Sequence, residues 1–226
     1  MTQFKDRLTR FEFWSAMAML PLHCVLLPRL LLVLNNVLNL GLSGARFNLL
    51  YYCMSFVLVL VLLGRYLLRS WRNLAENPGL CLMHFLTAWG LCLALNFAVN
   101  LLMLLISPSG SNPNQDTVNS LTAQDRSTMM AVAVLLAPVV EEAIFRGGIF
   151  CTVRRRSRIA AYVVTVLVFG LYHIASYILS SGDLRMLIYV IQYIPGGVAL
   201  CWSYDKSGSI WTAIFFHMSY NFISMM

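Results

Sequence analysis

Long apolar stretches fill almost the whole of this 226-residue chain, and they restrict what it can fold into. Hydrophobic residues make up 59% of the chain and charged residues only 11%. A soluble domain carries about 25% charged residues, and a single soluble core could not bury this apolar excess. An ordinary soluble globular protein, a disordered chain and a coiled coil are therefore excluded. The composition predicts an all-α, polytopic integral membrane protein.

A membrane-spanning helix needs about 20 mostly apolar residues, and about seven stretches meet this requirement. They lie at 13–36, 47–68, 80–106, 128–152, 159–179, 184–203 and 208–226. Only the segment 107–126 reads as a true linker, because it is rich in Ser, Pro, Asn, Asp and Gln. We therefore expect three units: transmembrane helices without a recognised motif at 1–106, the polar linker at 107–126, and a catalytic helical core at 127–226.

Basic residues are distributed unevenly between alternate loops. With the N-terminus in the cytoplasm, the outer loops hold only Arg46, Arg126 and Arg185. The cytoplasmic segments then hold eleven basic residues: Lys5, Arg7, Arg10, Arg65, Arg69, Arg72, Arg154, Arg155, Arg156, Arg158 and Lys206. The positive-inside rule therefore predicts a cytoplasmic N-terminus. The formal charge of +7 is explained by these loops, and nucleic acid is not an expected partner.

Ionisable side chains inside apolar stretches are costly and mark functional sites by default. At 1.5 Å per residue from the nearest inner basic residue, three of them lie about 16–22 Å deep, near the middle of a ~30 Å hydrocarbon core. We expect them to face one another around a polar active-site cavity within the helix bundle. The candidate site residues are Glu141, Glu142, Arg146, His173, His217 and Asn221, of which Glu141, His173 and His217 are the three at similar depth.

Spacing along the helices suggests a role for each acidic residue. Glu142 and Arg146 are four residues apart with the acid first, which is the favourable order for an ion pair on one helix face. Glu141 points about 100° away from that face and lacks the same partner. Glu141 is therefore the candidate general base that activates a water molecule.

The remaining three polar residues complete a hydrolytic arrangement. His173 can hydrogen-bond the water that Glu141 holds. His217 and Asn221 are also four residues apart, so both side chains could aim donors at one oxygen, as in an oxyanion hole. A carboxylate base, a water molecule and two donors are suited to amide hydrolysis by direct water attack.

Two other functions would use the same residues. A proton-coupled small transporter could be built on Glu141 and His173, although such carriers usually show repeat symmetry, which this sequence lacks. A non-catalytic membrane scaffold could bind a peptide in the same cavity.

A metal site is a further alternative within the hydrolytic reading. Glu141, His173 and His217 could form a zinc site with two histidines and one glutamate. Arg146 opposes a nearby cation, and the sequence contains no H-E-x-x-H motif. The residues therefore favour a metal-free reaction without a cofactor, with zinc as the alternative.

Three ordered motifs over roughly 125–226 resemble those of the CAAX protease and bacteriocin-processing (CPBP) family of intramembrane endopeptidases. The motifs are Glu141-Glu142-x-x-x-Arg146, Phe169-x-x-x-His173 and His217-x-x-x-Asn221. Phe169 is interpreted as a packing residue.

The resemblance implies that Glu141 is the base with His173 as its partner, that His217 and Asn221 stabilise the oxyanion, and that Glu142 and Arg146 organise the site. It also implies a cavity open toward the cytosol and a peptide or membrane-protein substrate in the bilayer. A bacterial plasma membrane is the expected location, with a role in peptide processing, signalling or bacteriocin immunity.

Overall fold

The computed structural model describes residues 7–107 and 111–226, which leaves out Lys5 of the predicted basic set and residues 108–110 of the predicted linker. Within the described residues, all the regular structure is helical. In chain order we distinguish α1 (Arg10–Val37), α2 (Gly44–Glu76), α3 (Pro78–Ile106), α4 (Pro113–Gln124), α5 (Arg126–Arg154), α6 (Arg158–Ser181), α7 (Leu184–Ser207) and α8 (Ile210–Ser224). All except α4 and α8 are long and apolar enough to cross a membrane. The predicted all-α, polytopic membrane fold is confirmed.

The last predicted span differs from expectation. The stretch 208–226 forms α8, which has only 15 residues because it begins after the N-cap Ser209 and ends at Ser224. At 1.5 Å per residue it is about 22 Å long, which is shorter than a hydrocarbon core of ~30 Å. Instead of facing lipid all round, α8 packs against α2, α3, α5 and α7. Six helices therefore meet the length for spanning among the described residues, and α8 is an inner helix.

Prolines interrupt two of the helices that carry buried polar groups. Helix α1 is π-helical over Leu22–Leu26, directly after Pro21. Helix α5 is π-helical over Ala131–Leu136, shortly before Pro138, and again over Ala143–Phe150. Proline has no backbone N–H, so the regular ladder of hydrogen bonds cannot continue past it. Such π-helical turns are frequent at functional sites.

Helix α5 forms the centre of the bundle, and every residue in 139–151 is buried. A Cβ on Gly147 would lie 2.9 Å from Cε1 of the Tyr66 ring on α2. The Tyr66 ring is itself buried, and its hydroxyl lies 2.9 Å from that of Tyr204. Glycine at position 147 therefore allows α2 to approach α5 closely.

The predicted cytoplasmic loops meet at one end of the bundle, which we call the basic face. Arg69 on α2 binds the buried Glu12 on α1 through two hydrogen bonds of 2.8 and 2.6 Å. Asp205 on α7 accepts hydrogen bonds from Nε of Arg154 at 2.8 Å and Nε of Arg158 at 2.7 Å. Ion pairs therefore join the helix ends of the basic face.

The opposite end of the bundle, which we call the linker face, carries α4. This helix folds within the predicted linker and buries none of its residues. The hydroxyl of Tyr177 on α6 donates to Oγ1 of Thr117 on α4 at 2.9 Å. Asp125 caps the start of α5, and the backbone N–H and hydroxyl of Thr128 hold the pKa of this carboxyl below its usual value. Residues 111–126 of the predicted linker therefore form part of this face.

Candidate active site

The predicted ion pair lies in the middle of the bundle. Nη1 of Arg146 donates to Oε1 of Glu142 at 3.0 Å, and both side chains are completely buried. Nη2 of Arg146 donates to the backbone carbonyl of Gly197 on α7 at 3.3 Å. The guanidinium also lies 4.4 Å from the centre of the Phe169 ring, a favourable cation–π contact. Phe169 thus packs against the charged centre of the site.

Glu142 has a second partner that spacing along one helix could not predict. Nδ1 of His217 on α8 lies 2.8 Å from the same Oε1 atom. An ionised carboxylate can only accept hydrogen bonds, so Nδ1 of His217 carries the proton. The other ring nitrogen, Nε2, faces Oε2 of Glu141 at 3.9 Å. Glu142 therefore connects Arg146 to the histidine and orients its ring.

His173 on α6 also has its Nδ1 hydrogen-bonded and its Nε2 facing Glu141. Its Nδ1 lies 2.8 Å from the backbone carbonyl oxygen of Phe169, which can only accept, so Nδ1 is the protonated nitrogen. Its Nε2 lies 3.9 Å from Oε2 of Glu141. The structure thus brings Nε2 atoms of His173 and His217 to the same carboxylate oxygen. A separation of 3.9 Å is too long for a direct hydrogen bond and suits one bridging water molecule.

Asn221 lines the cavity as predicted and also has a structural contact. The N–H of Ala137 bonds five residues back to Val132, so in this π-helical register the carbonyl of Ala133 would need the N–H of residue 138. Residue 138 is a proline and has none. Nδ2 of Asn221 donates to this carbonyl of Ala133 at 2.8 Å. One of its two amide N–H groups is therefore committed, and the second is left for the predicted oxyanion role.

Tyr52 is a site residue that the motifs did not reveal. It lies on α2, and its hydroxyl donates to Oε1 of Glu141 at 2.8 Å. A usable signal was present in the sequence, because a tyrosine well inside an apolar span needs a hydrogen-bond partner there. The unit 1–106, for which no motif was recognised, thus contributes directly to the site.

A cavity of about 860 Å³ connects Glu141, His173 and His217 to the linker face. At its outer end it is lined by polar residues of several helices, including Asn48, Asn100, Ser111, Gln115, Thr117 and Gln192. Within the described residues, no side chain in 65–76, 154–158 or 205–210 lines it. The cavity therefore opens away from the basic face.

An opening at the linker face makes two of the expectations from the sequence incompatible with each other. The distribution of basic residues places the basic face in the cytoplasm, whereas the family resemblance implies a cavity open toward the cytosol. The two statements cannot both hold, because the cavity and the basic loops lie at opposite ends of the bundle.

The zinc alternative requires three side chains that are grouped closely enough to hold one ion. Within the two described ranges, no three His, Cys, Asp or Glu side chains are grouped so that they could hold a metal ion. This includes the ligands of the zinc alternative, Glu141, His173 and His217. As placed, these three side chains are not grouped closely enough to hold an ion, and no step below is routed through a metal.

Comparison with known proteins gives one match. No curated protein and no solved structure matches the chain. A family model described as "Type II CAAX prenyl endopeptidase Rce1-like" matches residues 124–223. The matched segment spans α5 to α8 and contains all three motifs, whereas Tyr52 lies outside it. This match confirms the resemblance seen in the motifs: residues 124–223 are similar to the Rce1-like type II CAAX prenyl endopeptidase family.

Proposed function

We propose that the chain is an intramembrane endopeptidase that cleaves a membrane-associated protein or peptide with a water molecule activated by Glu141. The similarity of residues 124–223 to the Rce1-like family supports a CAAX-type intramembrane protease at the coarse level. The observation that carries the finer proposal is the convergence at the inner end of the cavity. Oε2 of Glu141 and the Nε2 atoms of His173 and His217 meet there with 3.9 Å separations.

Hydrolysis follows from the proton positions of these groups. A water molecule between them donates one hydrogen bond to Oε2 of Glu141 and the other to Nε2 of His173. As the water oxygen attacks the peptide carbonyl carbon, Glu141 takes the proton. The protonated Glu141 then gives this proton to the leaving amine as the C–N bond breaks, and the carboxylate is regenerated.

Stabilisation of the oxyanion requires a proton on Nε2 of His217, because Nδ1 is committed to Glu142. In this doubly protonated form, the buried side chains Glu141, Glu142, Arg146 and His217 sum to zero charge. A neutral set is far less costly to bury than one with an excess carboxylate. The second amide N–H of Asn221 is the other donor in this proposal.

The proposal is tested by comparing the peptides and protein N-termini of cells that carry the wild type with those of cells that carry Glu141→Gln. We expect fragments that are present only with the wild type. Glu76→Gln is the matched control, because Glu76 is an exposed carboxylate on α2 and should leave those fragments unchanged. A transporter or a non-catalytic scaffold would give no fragments that depend on Glu141, and this result would reject the proposal.

Metal dependence is tested on the purified chain. We expect no stoichiometric transition metal and cleavage that resists chelators. A zinc enzyme would instead contain about one ion per chain and would regain activity with Zn²⁺ after chelation. Stoichiometric zinc that is lost in both His173→Ala and His217→Ala would show that these residues are ligands.

We also propose that the substrate reaches the site from the linker face, outside the cytoplasm. In a chain without its six native cysteines, Ser157→Cys at the basic face should react with impermeant reagents only from the cytoplasmic side. Ser120→Cys on α4 and Asn48→Cys in the cavity mouth should react only from the other side. Labelling of Asn48→Cys from the cytoplasm would contradict this access route. If all three variants were labelled from the side opposite to the one expected, the orientation of the whole chain would be the reverse of the predicted one.

A further inference from the structure

The catalytic machinery described above uses only α5, α6 and α8, yet a second buried polar cluster on α1, α2 and α6 touches Glu141. It consists of five side chains: His23, Tyr51, Tyr52, Ser55 and Tyr172. His23 and Ser55 are completely buried. Polar groups buried in an apolar span are costly unless each one finds its partners. The proposed function leaves the purpose of this cluster unexplained.

The direction of each hydrogen bond can be worked out from the carboxylate outward. Tyr52 donates to Oε1 of Glu141 at 2.8 Å, so the Tyr52 proton is committed. Tyr52 and Tyr172 have their hydroxyls 3.3 Å apart, and Tyr172 must therefore be the donor. Nε2 of His23 lies 3.0 Å from the hydroxyls of both Tyr172 and Tyr51. The Tyr51 proton is committed to the backbone carbonyl of His23 and the Tyr172 proton to Tyr52, so Nε2 is the donor in this contact.

The same reasoning fixes the far end of the cluster. With its proton on Nε2, His23 presents a lone pair at Nδ1, which accepts from the Ser55 hydroxyl at 2.9 Å. The Tyr51 hydroxyl donates to the backbone carbonyl of His23 at 2.8 Å and holds this residue in place. The π-helical turn of α1 after Pro21 contains His23. Every step from Ser55 to Tyr52 thus points a proton toward Glu141.

We propose that Tyr52 is a positioning residue that fixes the carboxylate of Glu141, and that Tyr172 and His23 orient Tyr52 for this task. This inference rests on the proposed function. With Oε1 held by Tyr52, the free oxygen of Glu141 is Oε2, the one that faces both histidines. The charged or titratable groups around Glu141 are Cys24 on α1, Tyr51 and Tyr52 on α2, Glu142 on α5, His173 and Tyr172 on α6, Tyr193 on α7, and His217 on α8.

The test compares the change of tyrosine to phenylalanine at two positions of α2. Tyr52→Phe removes the donor to Glu141. Tyr66→Phe removes a buried tyrosine hydroxyl that lies 2.9 Å from that of Tyr204 and sits about 21 Å further along α2 than Tyr52. Hydrogen bonds to a carboxylate favour its charged form. For Tyr52→Phe we therefore expect kcat to fall about 10-fold and the acidic limb of the kcat/KM profile to move to higher pH. For Tyr66→Phe we expect an unchanged pH profile.

A second measurement needs no substrate. The infrared difference between wild type and Glu141→Gln isolates the carboxylate stretching band of Glu141. Tyr52→Phe should shift this band, Tyr172→Phe should shift it less in the same direction, and Tyr66→Phe should leave it in place. If Tyr52→Phe does not fold, the Tyr172→Phe comparison carries the test.

The outcomes separate this inference from the proposed function. If Glu141→Gln is inactive while Tyr52→Phe keeps both the wild-type pH profile and the wild-type infrared band, the positioning role is wrong and the proposed function stands. If Glu141→Gln retains wild-type hydrolysis, the proposed function itself fails, whatever Tyr52→Phe does.

Discussion

Glu141→Gln should lower the rate of peptide hydrolysis by about 10²–10⁴-fold, the contribution that a positioned general base makes. Glutamine keeps the size of the side chain and an oxygen that can accept from the Tyr52 hydroxyl, so the fold should be retained. What is lost is the group that removes a proton from water. The measurement is kcat with a substrate identified from cellular fragments, together with the melting temperature in detergent.

Two further observations make this prediction specific. The variant Glu76→Gln, on the exposed surface of α2, should keep the wild-type kcat. KM should change little in Glu141→Gln, because the base acts on the reacting water and not on substrate binding. Substantial hydrolysis by a folded Glu141→Gln chain would show that another group is the base.

Arg146→Met should destabilise the protein by about 3–5 kcal/mol, the usual result of removing one partner from a buried ion pair. The Arg146 and Glu142 side chains are completely buried, and Oε2 of Glu142 makes no hydrogen bond within the described residues. Without the guanidinium, the Glu142 carboxylate would retain only His217 as a partner. Unfolding in detergent measures the change in free energy.

A double variant distinguishes the stranded charge from a simple loss of packing. Glu142→Gln combined with Arg146→Met should be less destabilised than Arg146→Met alone, because the uncompensated carboxylate is then absent. Arg156→Met on the exposed basic loop is the control and should change stability by no more than about 0.5 kcal/mol. Equal stability of Arg146→Met and Arg156→Met would contradict the role of the buried pair.

The sequence predicted the helical membrane fold and the pairing of Glu142 with Arg146, because both depend on local patterns. Apolar length indicates a span, and a four-residue spacing places two side chains on one helix face. The depth estimate also indicated correctly that Glu141, His173 and His217 would meet, since all three were counted along straight helices from the same side of the membrane.

Contacts between helices could not be predicted in this way. The bonds from Tyr52 to Glu141 and from His217 to Glu142 join residues 89 and 75 positions apart, and no local spacing encodes them. The bond from Asn221 to Ala133 depends on a π-helical register and on the missing N–H of Pro138. The opening of the cavity depends on how α4 and the helix ends are arranged, which composition does not specify.

The ion pairs of Asp205 have a consequence for the order in which the protein is made. Asp205 follows Arg154 by 51 residues, so the ribosome adds it well after the loop between α5 and α6. Acidic residues contribute little to orientation, and the two arginines act on the loop as full positive charges while its side of the membrane is chosen. Only afterwards does Asp205 bind Arg154 and Arg158 and draw α5 and α6 against α7. Under the predicted cytoplasmic orientation of this loop, the same guanidinium groups would serve first as a topology signal during synthesis and later as part of the mature packing.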